Sequence, residues 1–447
     1  MTQIAPTHLD RRRFLAATSA FAGLAASGCT TSHSGPQAPR ALVYGQLVKD
    51  PDGVLDLPQG FSYRVVSRLG DAMDDGGTVP DRADGMGCFQ LPDGKIALVR
   101  NHELKPDHDA GGVLASGFAH GRDGKVLPGG TTTLVLDPET LALEKQYRSL
   151  AGTIRNCAGG TTPWGSWLTC EEAKLGGDTE PGHGWVFEVP AAHQGLVDPV
   201  PLKAMGRFNH EAAVIDPVSG HAYLTEDRED GLIYRFIPNE PGNLAAGGRL
   251  QALTGIADTR NWGGNVTMKV GEPIPVGWVD LDDVEAPKDD LRLRGAAKGA
   301  ALFARGEGIH MGPGASGPGR GVGRSEAYFC CTSGGAAGYG QVFRLIPGSD
   351  CDRLELFYES TDRHDFFFGD NLTVADNGHL VVCEDSYDAF VDNHIRGITP
   401  EGAAYPIARL TMQTELAGAC FSPDGRTLFV NAYSPSTTFA ITGPWLA

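Results

Sequence analysis

Six times along this chain the same short phrase recurs: a polar or acidic cluster, a Gly-rich turn, an apolar run and a second polar cluster. The paired clusters begin at Ala83 and Arg100, Asn156 and Thr169, Asn209 and Thr225, Gly306 and Cys330, Gly369 and Cys383, and Glu415 and Asn431. Between them lie turn sequences such as Pro92-Asp93-Gly94, Asp376-Asn377-Gly378 and Pro423-Asp424-Gly425, which reverse a chain tightly between strands. Each copy therefore reads as a β-hairpin, and antiparallel pairing sets both polar clusters of a copy on one edge. Repeated radially, six such edges crowd carboxylates, Asn, His and Cys around one axial mouth. Like charges a few ångströms apart repel by roughly 4 kcal/mol per pair at an effective dielectric of about 20, so cations are expected there.

Two further apolar runs follow each hairpin and complete four-stranded blades, for example 131–136 with 144–150 and 184–189 with 202–208. The last copy has only 438–441 after it, and the run 61–69, which precedes the first copy, is expected to supply its missing outer strand. The expectation is thus an all-β, six-bladed β-propeller with four-stranded blades, closed by an N-terminal strand, over residues 57–447. The stretch 254–304 is longer than a blade connection needs and is expected to be an insertion near the mouth. The 61 Gly and 29 Pro suit many short strands joined by turns. A net charge of −18 argues against nucleic acid as a partner.

At the N-terminus, Asp10-Arg11-Arg12-Arg13-Phe14-Leu15 precedes an apolar run, Ala16 to Ala26, too short to span a bilayer. This reads as a twin-arginine export signal over residues 1–29, implying the twin-arginine machinery as a partner and a periplasmic or otherwise exported protein. The segment ends in Ala26-Ser27-Gly28-Cys29, so either a lipid anchor at Cys29 or cleavage near Ala26 follows, with 30–56 as tether and lead-in. Of the other cysteines, Cys88, Cys170, Cys330, Cys331, Cys383 and Cys420 fall in strand runs where a small thiol packs like Ala or Val. Cys157 instead sits at a mouth position, where a thiolate could meet a metal.

Glu211 and Glu226 belong to the two edges of one hairpin, as do Cys157 and Glu172 in the copy before. Glu103, Glu307, Asp370, Glu384 and Asp385 add carboxylates from other copies. Hard oxygen ligands in this number suit Ca²⁺, and a thiolate among them suits a softer ion such as iron or zinc. His102, His210 and His310 are either ligands or hydrogen-bonded structural residues. Arg155 and Arg228 either compensate the neighbouring carboxylates or grip an anion such as phosphate.

The run Asn156-Cys-Ala-Gly-Gly-Thr-Thr-Pro-Trp-Gly-Ser-Trp-Leu-Thr-Cys-Glu-Glu172 closely resembles the signature of the PhoX-type alkaline phosphatases. Gly206 to Ala212, Thr225 to Arg228, and Gly369 to Asn371 with Cys383 to Asp385 are similar to others of its motifs. The resemblance implies twin-arginine export, a β-propeller, and hydrolysis of phosphomonoesters at two irons and several calciums with a cysteine thiolate on iron. By that resemblance Cys157, Glu172, Glu211 and Glu226 are the iron-side candidates, and Glu103, Glu307, Glu384 and Asp385 hold calcium or bridge. The implied reaction is metal-assisted phosphoryl transfer with Arg155 or Arg228 steadying the phosphate, in a protein expected to be a monomer. Two rivals share part of the pattern: a calcium-dependent propeller hydrolase of lactones or phosphotriesters, and a non-catalytic, calcium-braced propeller lipoprotein.

Overall fold

The structure is a computed structural model that describes residues 42–173, 182–312, 326–386 and 391–445. The export signal, Cys29 and the first part of the tether lie outside the described residues. All six recurring phrases are antiparallel hairpins: Ala83–Gln90 with Ile96–His102, Asn156–Thr161 with Ser166–Glu171, His210–Ile215 with Ala222–Glu226, Gly306–Met311 with Ala327–Cys331, Gly369–Val374 with Leu380–Glu384, and Leu416–Phe421 with Thr427–Ala432. The first strands of the hairpins pack against one another in chain order, and that of the sixth packs against that of the first. The result is an all-β, propeller-like ring.

The ring is tight because small residues face its neighbours. A Cβ on Gly85 would lie 2.6 Å from Cα of Ala158 in the second hairpin, and one on Gly308 would lie 2.7 Å from the Leu372 nitrogen in the fifth. Apolar side chains fill the wedges further out, as where Met86 and Leu98 of the first sheet meet Cys420 and Phe429 of the last. Closure runs through Ser62–Arg68, which pairs with Thr437–Thr442 as the outer strand of the last sheet and so joins the two ends of the ring, as the run 61–69 led us to expect.

Three features differ from the sequence reading. Among the described residues the strands form five sheets and not six, because Ile274–Asp280 pairs with Gly248–Thr254 on one side and Asp352–Glu359 on the other. This strand, drawn from the long stretch 254–304, joins two four-stranded meanders at their outer edges into one nine-stranded sheet. The second hairpin's sheet has three strands, since 202–208 carries a 3₁₀ turn, Lys203–Met205, instead of a strand. Pro199 and Pro201 explain this: neither has an N–H to donate to a ladder, and only single contacts at Pro201 and Leu202 touch the sheet. Finally, Leu47–Val48 and Leu55–Pro58, inside or beside the expected tether, add two strands outside Ala404–Leu410. The described cysteines are unbridged; Cys170, Cys330, Cys331, Cys383 and Cys420 are buried in strands and Cys351 is exposed.

Candidate active site

Three offsets recur in every hairpin and supply most of the side chains at the axis. The residue immediately before each first strand accepts a hydrogen bond at its carbonyl from the residue just after the second strand. These pairs are Glu103 on Arg82, Glu172 on Arg155, Asp227 on Asn209, Thr332 on Arg305, Asp385 on Phe368 and Tyr433 on Glu415, with N–O distances of 2.9 to 3.3 Å. Two residues after each carbonyl come Asp84, Cys157, Glu211, Glu307, Asp370 and Ala417, and the register of each hairpin shifts just there. A bulge at this point bends the strand and re-aims the side chain, here inward. Four of the carbonyl positions, Arg82, Arg155, Arg305 and Phe368, are held at φ between 46° and 58°, a left-handed conformation that bulky residues rarely adopt.

A cavity of about 270 Å³ lies over this ring, lined by Asp84, Glu103, Lys105, Arg155, Cys157, Glu172, Glu211, Asp227, Arg305, Glu307, Asp370, Asp385, Glu415 and Tyr433. Nine of these are carboxylates and three are cationic. Donor atoms of Cys157, Glu172 and Glu211 lie within 4.8 Å of one another, and so do those of Glu211, Glu307 and Asp370. Glu211 thus belongs to both groups. It is wholly buried, and neither of its oxygens has a hydrogen-bond partner among the described residues; nor has Asp84 Oδ1.

Burial, reinforced by like charges, pushes the carboxyls of Asp84, Glu211, Glu307 and Glu415 well above the usual range and that of Asp370 up to about 8. Glu172 moves up for the same first reason although Arg155 opposes it, and burial beside Asp84 and Glu211 raises the Cys157 thiol. Burial without cations thus works against ionisation of the innermost carboxyls. Inward-facing donors crowded this closely, with both Glu211 oxygens and Asp84 Oδ1 without a hydrogen-bond partner, are what bound cations satisfy, so the residues fit a metal cluster. The two arginines are fixed at the rim: Arg155 pairs with Glu172 and, at 2.7 Å, with Glu103, while Arg305 reaches Asp227 at 2.7 Å and Glu307 at 3.0 Å.

Of the residues singled out in the sequence, Glu103, Arg155, Cys157, Glu172, Glu211, Glu307, Asp370 and Asp385 converge on the cavity. Glu226, Glu384 and Arg228 do not line it. Glu226 accepts from Tyr234 Oη at 2.6 Å, Glu384 pairs with Arg396 at 2.8 Å, and Arg228 pairs with Asp289 at 3.2 Å, from the stretch 254–304. The histidines are structural too: His102 bridges Asp81 O and Thr132, His210 stacks on Phe208 with Nε2 on Gly206 O, and His310 bonds Met311 O. Asp84, Lys105, Asp227, Arg305, Glu415 and Tyr433 were missed. Reading the three offsets through all six copies would have found every one of these except Lys105.

Comparison with known proteins follows the same residues. The family model described as Alkaline phosphatase PhoX matches residues 42–140 and 128–436. The chain belongs to the PhoX alkaline phosphatase family. Its activity class is that of a phosphatase, as the motifs around Cys157 and Glu172 implied. Among solved structures the chain is similar to Pseudomonas fluorescens PhoX in complex with vanadate, a transition state analogue, with 17% identity over 91% of this chain and 97% of that one and a TM-score of 0.67; this likeness shows the fold. A gluconolactonase from Xanthomonas campestris is more distant, with 10% identity over 85% and 98% of the two chains and a TM-score of 0.43. No match is found among curated protein sequences. No described helix is long and apolar enough to cross a membrane.

Proposed function

We propose that this PhoX-family chain is an exported phosphatase that hydrolyses phosphomonoesters to inorganic phosphate and an alcohol at an iron and calcium cluster in the axial mouth. The observation that carries the metal reading is Glu211, a buried carboxylate shared by two donor groups with both oxygens unpartnered. Cys157, Glu172 and Glu211 mix sulfur with oxygen and suit iron, whereas Glu211, Glu307 and Asp370 are all oxygen and suit Ca²⁺. We also read the nine-stranded sheet as two blades fused at their outer edges, which gives six blades around the ring of inner strands. Export rests on Arg11-Arg12-Arg13 and the apolar run after them.

The chemistry that such cations supply when bound is charge neutralisation at the phosphoryl oxygens and acidification of water. The chain's own contribution is positioning. Arg155 and Arg305, each oriented by two carboxylates, place planar forks at the rim where non-bridging phosphate oxygens would sit. Lys105 adds a third positive charge, and Tyr433, which donates to Glu103, fixes that carboxylate's position. Fork and tyrosine are set before substrate arrives, so little reorganisation is needed as charge develops in the transition state. No serine nucleophile lines the cavity among the described residues.

The test is hydrolysis of a chromogenic phosphomonoester by the purified chain at alkaline pH, with metal analysis of the same sample and Glu211→Ala as control. Turnover with iron and calcium present, lost in the variant, is the expected result. An inactive, folded protein that takes up neither metal would overturn the proposal.

A further inference from the structure

A second cavity, of about 1050 Å³, opens beside the mouth. Its walls come from the long crossing between the first hairpin and the strand Gly129–Leu136, residues 106–128, together with Ile154. Two places mark the boundary between the cavities. Lys105 and Arg155 line the mouth, while their chain neighbours Pro106 and Ile154 line the second cavity. The Arg155 N–H donates to Leu104 O at 2.9 Å, so the two segments cross that boundary side by side. A group attached to a phosphate held by Arg155 and Lys105 therefore has this space next to it.

The walls are set before anything binds. The Thr78 N–H donates to Gly111 O at 2.7 Å, that of Phe118 to Ala151 O at 3.0 Å, and that of Leu127 to Ala119 O at 3.0 Å. A Cβ on Gly117 would stand 2.5 Å from Val126 Cγ1, so the crossing also packs closely on itself. His108 lines the cavity at the boundary. Its Nδ1 accepts from the Lys105 N–H and from Arg82 Nε, each at 3.1 Å, which leaves the ring proton on Nε2. The same guanidinium donates to Tyr433 Oη in the mouth at 3.1 Å. Nε2 of His108 is thus a fixed donor, and it has no hydrogen-bond partner among the described residues. Around it Asp107, Asp109 and Asp123 stand with Arg122 and Lys125, so the wall carries little net charge, and no aromatic ring lines it among the described residues.

We propose that the second cavity is a subsite for the leaving alcohol of the phosphomonoester, selective for a polyhydroxylated one such as a sugar, with the His108 Nε2–H donating to a hydroxyl oxygen. The inference rests on the phosphatase reading of the mouth. Hydroxyl groups both donate and accept, which matches a wall of mixed sign, whereas a charged tail gains nothing from balanced charges and a flat ring finds no face to stack on.

The test compares glucose 6-phosphate with cyclohexylmethyl phosphate, two esters of a primary alcohol on a six-membered ring, of which only the first carries hydroxyls. Affinities are read by calorimetry with the methylenephosphonate analogues, in which CH₂ replaces the ester oxygen and hydrolysis cannot occur. The metal-loaded chain should bind the sugar analogue about three- to tenfold more tightly, the worth of one net hydrogen bond. His108→Asn keeps a side-chain oxygen to accept from Lys105 and Arg82 but has no donor in the Nε2 position. It should remove the preference in affinity and lower the ratio of the two kcat/KM values by the same factor, since the intrinsic reactivities of the esters cancel between parent and variant. A preference in affinity that is lost in His108→Asn, without turnover of either ester, keeps the subsite and discards the phosphatase reading. Equal affinities in the parent chain, binding of neither analogue, or a preference that survives in His108→Asn overturns the subsite whatever the activity.

Discussion

Replacing Glu211 by Gln should change stability in opposite directions with and without metal. In the metal-free chain at pH 8 the Glu211 carboxyl has two options, and both are costly. If it stays ionised, each charged neighbour whose oxygen lies within 4.8 Å, among Glu172, Glu307 and Asp370, costs about 3.5 kcal/mol at an effective dielectric of ~20. If it takes a proton, holding that proton from an ordinary value of 4.5 up to pH 8 costs about 5 kcal/mol at ~1.4 kcal/mol per unit. Neighbouring carboxyls share the load by protonating in turn, so the net relief from a neutral, isosteric amide should be about 2–4 kcal/mol. The new NH₂ group finds carboxylate oxygens within reach. In chelator, Glu211→Gln should therefore melt several degrees above the parent chain. In iron and calcium the order should reverse, because a ligand common to both donor groups has lost its charge. Differential scanning calorimetry at pH 8 in the two buffers reads both signs. A shift of the same sign in both would refute the reasoning: loss in both would make Glu211 a structural residue, and gain in both would mean that no cation is held there.

Arg305→Met should lower kcat/KM by roughly 10²–10³-fold, while Arg228→Met should stay within about threefold; steady-state kinetics distinguishes the two. Cys157→Ser should lose iron and keep calcium, as counted by elemental analysis of the purified variant. Burial lifts Glu226 from 4.5 to about 7. Between those values the folded state holds a proton that the unfolded chain has released, so stability falls as pH rises through that window, by up to ~3 kcal/mol. Denaturant midpoints from pH 4 to 8 should show this slope in chelator and should flatten in Glu226→Gln. Gly308→Ala should cost about 1–3 kcal/mol, because a Cβ there would stand 2.7 Å from the Leu372 nitrogen of the next inner strand; thermal midpoints measure it.

The repeat made the hairpins, the shared edge and the closing strand legible, because turn residues and apolar runs act locally and recur. It did not settle which member of an adjacent acidic pair faces the axis. In Glu171-Glu172, Glu226-Asp227 and Glu384-Asp385 the first residue ends a paired strand and is hydrogen-bonded away from the cavity, while the second lines it. Glu171, for instance, is bonded by His183, Ile154, Gly184 and Trp185. A difference of one residue reverses the face, and the bulges that fix this offset leave no signature in composition. Arg305 was overlooked for a similar reason: its partner Asp227 is far away in sequence and was not itself assigned to the mouth. The bridging strand Ile274–Asp280 could not be read because its pairing depends on two meanders already being adjacent.

The closing strand has a consequence for the order of events in folding. Ser62 and Thr442, which meet across the seam, are 380 positions apart, and the cavity takes residues from Asp84 through Tyr433. Contacts of such sequence separation form late and slowly, since the loop between them must be ordered first. Glu415 and Tyr433 come from the sixth hairpin, so the lining of the mouth is complete only once that hairpin has joined the ring. Cations of the kind proposed above would then meet an already closed ring, and would stabilise it by mass action.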